Sequence, residues 1–186
     1  MHAQERKCPW TGLGAVSIAL AAFVLLAGEV SAQCRQGNEN PWITPTAPAN
    51  QFDARDDGTV IHKPSRLIWH RCVLGQSWTG SGCDGTPSSM TWSQALEAAE
   101  NHVQDGREDW RLPNRNELVS IIESRCYLPA IDEGVFPDAP VGGYWTSSPV
   151  SGALDDAWIV EFDDGLTEPA STGALFKVRL VRGGWE

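Results

Sequence analysis

Read along the chain, the alternation of apolar and polar positions divides the sequence into five parts. From Leu13 to Ala27 no charge interrupts an apolar or small stretch, and Arg6 and Lys7 precede it. That order is the one an export signal shows. Residues 33 to about 55 carry Pro41, Pro45 and Pro48 among Asn, Gln and Thr with little periodicity, which predicts an extended lead-in segment. A turn at Asp56-Asp57-Gly58 then opens a hairpin pattern, Thr59-Val60-Ile61 followed by Leu67-Ile68-Trp69. Two helical stripes come next. Trp92, Ala95, Leu96, Ala99 and Val103 share one face of a helix over about 92–103, with Thr91 and Gln94 at capping-box spacing. Leu118, Ile121 and Ile122 line a second helix over about 115–125, with Asn114 as N-cap and Glu117 three residues on. The last part reads as strands: Tyr144 to Ser147, Ala157 to Phe162, a turn at Asp163-Asp164-Gly165, and Leu175 to Val181.

Strands, then helices, then strands predict an α+β fold, a single compact domain with two amphipathic helices packed on antiparallel strands. The expected division is a signal peptide over 1–32, a lead-in over 33–55 and the domain proper over 56–184. No internal repeat of fixed period is present.

The apolar stretch is fifteen residues long, short of the roughly 18 that span a bilayer. Cleavage is therefore expected after Ala32, where Val30 and Ala32 occupy the positions a signal peptidase reads. A retained anchor and lipidation at Cys34 are the alternatives. Cleavage removes Cys8 and leaves Cys34, Cys72, Cys83 and Cys126, an even number suited to an oxidising compartment. Three pairings are possible. The short Gly/Ser-rich loop favours Cys72 with Cys83, which leaves Cys34 with Cys126. No C-x-x-C pair exists for zinc. The chain is expected to be secreted or periplasmic, with no membrane association after cleavage.

A net charge of −10 argues against nucleic acid and anionic lipid as partners. Lys177, Arg179 and Arg182 cluster near the end, read as a solvated edge strand with an anion site as the alternative. No nucleophile elbow, zinc-protease helix, phosphate loop or dinucleotide fingerprint occurs. The protein is expected to be no enzyme and to need no cofactor. His62, His70 and His102 have no metal-ligand spacing. Asp155, Asp156, Glu161, Asp163 and Asp164 supply hard oxygens but also ordinary turn chemistry, so no metal site is assigned. Trp78 stands apart from the five tryptophans in periodic segments (Trp69, Trp92, Trp110, Trp145 and Trp158), because it lies in a Ser/Thr/Gly loop. It is the one candidate ligand-binding residue, against the reading that it folds back onto the core. The expected partner is a glycan or a protein, with self-association open. A polysaccharide-acting enzyme using Asp155 and Asp156 is the remote alternative.

The segments Leu67-Ile68-Trp69-His70-Arg71-Cys72, Thr91 to Leu96, WRLPNRNEL from Trp110 to Leu118, Tyr144 to Ser148, Ala157-Trp158 with Phe162, and Val178 to Gly184 occur in an order that resembles the Lcl C-terminal domain family. That family is named after a collagen-like adhesin of Legionella. The resemblance covers about residues 56–184. It implies an exported or cell-surface module of domain-of-unknown-function type, a C-type-lectin-like fold, and an adhesive or carbohydrate-binding role, the founding adhesin being associated with sulfated glycosaminoglycans. This chain lacks the collagen-like repeat, and its acidity opposes polyanion binding. Within the motif, Trp110 and Leu112 are expected to bury, Pro113 to stop a strand, Asn114 to cap the next helix and Arg111 to pair with a carboxylate or carbonyl.

Overall fold

The computed structural model describes residues 32–183; the export signal expected upstream lies outside them except for Ala32. The Asp57-Gly58 turn delivers β2 (Thr59–His62), and a turn at Lys63 to Arg66 returns it as β3 (Leu67–His70). Gly58 has φ +80°, and a Cβ there would stand 2.7 Å from the Trp78 side chain, so only glycine fits. The hairpin pairs Val60 with Trp69 and Ile61 with Ile68. β1 (Phe52–Ala54) adds on one side and β11 (Val181–Arg182) on the other, giving the order β1-β2-β3-β11.

A second, five-stranded sheet is built from β6 (Ser89–Met90), β7 (Gly143–Pro149), β8 (Asp156–Glu161), β9 (Thr167–Ser171) and β10 (Phe176–Lys177) in the order β6-β10-β7-β8-β9. A small ribbon pairs β4 (Gln76–Trp78) with β5 (Cys83–Gly85). All pairings are antiparallel except β10 with β7.

Both helices start where their caps predict and stop early. Thr91 and Gln94 form a reciprocal capping box on α1 (Trp92–Glu100), and Asn114 and Glu117 do the same on α2 (Arg115–Val119). Val103, expected on the buried face of α1, lies past the helix end and is exposed. In α2 the Ser120 hydroxyl donates to the Glu117 carbonyl at 2.6 Å, a local bond that competes with the next helical turn. Ile121 and Ile122 bury from the turns that follow.

The expected strand from Leu175 to Val181 is divided. β10 belongs to one sheet and β11 to the other. Between them Val178 and Leu180 accept backbone hydrogen bonds from Leu74 and His70. Arg179 is therefore no solvated edge residue: it is fully buried, its Nη1 donating to the carbonyls of His70 and Arg71 at 3.0 and 2.6 Å. Its guanidinium lies 4.8 Å from the centroid of the Phe136 ring. β9 is absent from the hydrophobic pattern because its residues, Thr-Glu-Pro-Ala-Ser, are largely exposed at the sheet edge.

The lead-in is also more than an extended arm. It ends in β1, and Ala47 is buried. Glu123, itself fully buried, accepts from the amides of Thr46, Ala47 and Arg125 at 2.9–3.1 Å. Disulfides join Cys34 to Cys126 and Cys72 to Cys83, with Cα separations of 5.2 and 5.5 Å. Two disulfides fit an oxidising compartment. No helix among the described residues is long and apolar enough to cross a membrane.

The core falls into two clusters. One gathers Val60, Trp69, Leu118, Ile121, Phe136, Tyr144 and Phe162, and the other Ala95, Ala99, Trp110, Leu112, Trp145, Ile159 and Leu180. Trp92 and Trp158 are only partly buried. Trp92 instead donates its Nε1 proton to the Thr146 carbonyl at 2.7 Å, and Trp158 lies beneath the Arg115 guanidinium at 4.5 Å.

Candidate functional site

Two turns face each other beside Trp110. The first, before β2, carries Asp57, whose Oδ1 accepts from the amide and hydroxyl of Thr59 at 2.9 and 2.6 Å. The second is closed by reciprocal backbone bonds between Gln104 and Arg107, with Asp105 and Gly106 at φ 50° and 72°. Gln104 ties the two together by donating its Nε2 proton to the Asp57 carbonyl at 2.8 Å. Between them opens a pit of about 250 Å³, lined by Arg55, Asp57, Thr59, Gln104, Asp105, Arg107, Trp110 and Arg182. Arg182 comes from β11 and lies 5.4 Å from the Trp110 ring centroid. Its ion pair with Asp109 is long, at 3.5 Å.

Trp110 is 97% buried, being 3% exposed, yet its Nε1 has no hydrogen-bond partner. The same holds for Gln104 Oε1, Arg182 Nε and His102 Nε2. Such groups are uncommon in folded proteins. Behind the indole, His70 and His102 make edge contacts with it at 5.8 and 6.0 Å and with each other at 5.6 Å. Burial pulls the His70 pKa down to about 4, with the charges of His102 and Arg179 in the same direction and the Cys72 carbonyl and Asp57 opposing. Burial lowers His102, with the neighbouring Gln104 side chain opposing. For Asp57 burial acts upward, but the Thr59 bonds and the charges of Arg55 and Arg182 hold the carboxyl below its usual range. Both imidazoles are thus neutral at neutral pH, and the lining's charge is that of its arginines and aspartates.

Arg107 and Arg182 also border a larger groove of about 900 Å³ that runs over Ser65 to Ile68 and past Asn114, Asn116 and Glu117. Its far wall is the motif segment. Arg111 makes a bidentate pair with Glu117, both bonds at 2.7 Å, and Glu117 also accepts from the Asn114 amide at 2.8 Å. Burial raises the Glu117 pKa, but these bonds outweigh it and the group is lowered overall. Arg111 is raised, first by its bond to Glu117 and against the effect of burial.

Trp78 lies elsewhere. It stands on β4, half-buried, with its Nε1 donating to the Asp56 carbonyl at 3.0 Å and the Arg71 guanidinium 4.2 Å above its ring. Arg71 is in turn anchored to the Val135 carbonyl at 2.7 Å. One face of the indole is therefore occupied. Among the described residues no group of three or more His, Cys, Asp or Glu side chains is placed to hold a metal ion. The pit residues Arg55, Gln104 and Arg107 escape a sequence reading, since nothing periodic links them. The available signals were Trp110 within the WRLP motif and Arg182 in the basic cluster near the end.

Residues 58–182 match the Lcl C-terminal domain, and the chain belongs to that family. No curated protein matches the chain.

Proposed function

We propose that this member of the Lcl C-terminal domain family is an exported, non-catalytic binding module whose ligand, a glycan, seats in the pit and groove joined by Arg107 and Arg182. The observation that carries this reading is the continuity of a small pit with unpaired polar atoms in its walls and a long groove lined by Asn114, Asn116, Ser65 and Arg66. Amide and hydroxyl groups can donate and accept, and guanidiniums donate, which suits sugar hydroxyls. The two disulfides and the upstream export pattern suit a protein working outside the cytoplasm.

A glycan-array screen of the protein from Gln33 onward, alongside Asn116→Ala and Trp78→Ala variants, tests this. Binding lost in Asn116→Ala and kept in Trp78→Ala supports the groove. The opposite pattern returns the site to the β4–β5 ribbon. No binding to any glycan rejects the reading and leaves a protein partner. Trp42, 93% exposed beside Ile43, favours that second reading.

A further inference from the structure

We propose that the pit beside Trp110 is a subsite for a single carboxylate, that of an acidic monosaccharide unit, held by Arg107 and Arg182 over the indole. This rests on the binding-module reading and gives its ligand a chemistry.

Size sets the first limit. Pockets for small molecules run from roughly 300 Å³ upward, and this one holds about 250 Å³. One sugar ring or less fits. Charge sets the second. Three guanidiniums and two carboxylates line the pit, and Asp109 stands beside Arg182 outside that lining, so the cations are matched in number but loosely held. Asp57 Oδ1 is already engaged by Thr59. Among the described residues Arg55 and Arg107 make no ion pair, and Arg182 reaches Asp109 only at 3.5 Å, whereas the other three arginine pairs close to 2.6–2.7 Å. A guanidinium at that distance has its fork free for a planar anion.

Hydrogen-bond balance sets the third limit. Trp110 Nε1 and Arg182 Nε are donors without acceptors, beside Gln104 Oε1, an acceptor, and the ring nitrogen His102 Nε2. The two N–H groups call for a partner that brings oxygens. Neither N–H is exposed at the surface, and the 104–107 turn, held by two hydrogen bonds and largely exposed, forms one wall of the pit. Arg107, without an ion pair among the described residues on a chain of charge −10, suits one carboxylate. A densely sulfated polymer meets repulsion over the rest of the surface.

The test is an NMR titration of the protein from Gln33 onward, following the Trp110 indole N–H, with glucuronate and galacturonate against glucose, galactose and acetate. A saturable shift with the uronates, little with the neutral sugars, and about fivefold or greater weakening in Arg107→Gln but not in Arg107→Lys are expected, since a charge-assisted bond is removed. Raising the salt concentration weakens the uronate shift. Equal shifts with neutral sugars overturn the carboxylate. Equal shifts with acetate confine the site to the bare anion and overturn the sugar. Absence of any uronate shift, in a protein that does bind a glycan on the array, overturns this subsite while the binding-module reading stands.

Discussion

Buried polar chemistry is handled in opposite ways at two places that the lead-in touches. At Glu123 both carboxylate oxygens are used, by three amides from two separate segments, and Thr46 adds a hydroxyl bond to the Ile122 carbonyl at 2.8 Å. At the Trp110 pit, four neighbouring side chains each keep a buried polar atom without a partner. A satisfied buried charge locks a segment in place, and its value lies in the amides it would orphan if removed. An unsatisfied cluster does not add stability, so the fold tolerates it at a cost that other contacts offset, which is the usual mark of a site. Arg179 stands between the two: Nη1 is paired twice while Nε and Nη2 are not, and it makes no ion pair among the described residues.

The contrast is sharpest under mutation. Removing the Cys34–Cys126 bridge, which closes a separation of 92 residues, is expected to cost about 4–5 kcal/mol by the chain-entropy relation. Removing Cys72–Cys83, with a separation of 11, is expected to cost about 3 kcal/mol. Urea denaturation of the double Ser variants measures both; equal losses would mean that the lead-in is not held by this bridge. Glu123→Ala strands three amides and is expected to lose about 4 kcal/mol in the same assay. A loss below about 1 kcal/mol would end the claim that this carboxylate is structural.

Beneath the pit the balance depends on pH. His70 takes up its proton near pH 4 in the fold and near 6.5 when unfolded. The unfolded chain therefore binds the proton first as pH falls. The stability this neutral imidazole contributes is complete above about 6.5 and declines down to about 4, by roughly 3 kcal/mol. His62 and His102, also lowered by burial, act in the same sense. Denaturation midpoints across this window should fall more steeply for the wild type than for His70→Gln, and parallel slopes would contradict the assignment. The smallest effect is expected at the pit rim: Arg107→Gln, exposed and without an ion pair, should change stability by less than about 0.5 kcal/mol. A larger loss would make the rim part of the scaffold and blur the contrast with Glu123.

What could be read from the sequence was local. The capping boxes at Thr91 and Asn114, the β2–β3 hairpin and the burial of Trp69, Trp110 and Trp145 depend on residues within one or two turns of each other. The length of α2 does not follow from periodicity, because a hydroxyl at Ser120 and the bonds to Glu123 end the helix before its apolar stripe does. Arg179 was read as solvated because alternation cannot tell a sheet edge from a crossing between sheets. The pit was invisible for a related reason. Its residues come from positions 55–59, 104–110 and 182, and only tertiary packing brings them together. Trp78 drew attention by its polar neighbours in sequence, whereas in space it is covered by Arg71.

The division of the last strands between two sheets has a consequence for how the molecule is made. β10 supplies the link between β6 and β7, and β11 completes the sheet that begins with β1. A ribosome has long since released both helices by the time residues 176–182 emerge. Neither sheet has its full set of strands before then, and the pit lacks Arg182. One short segment, residues 176–182, thus completes both sheets and the pit together.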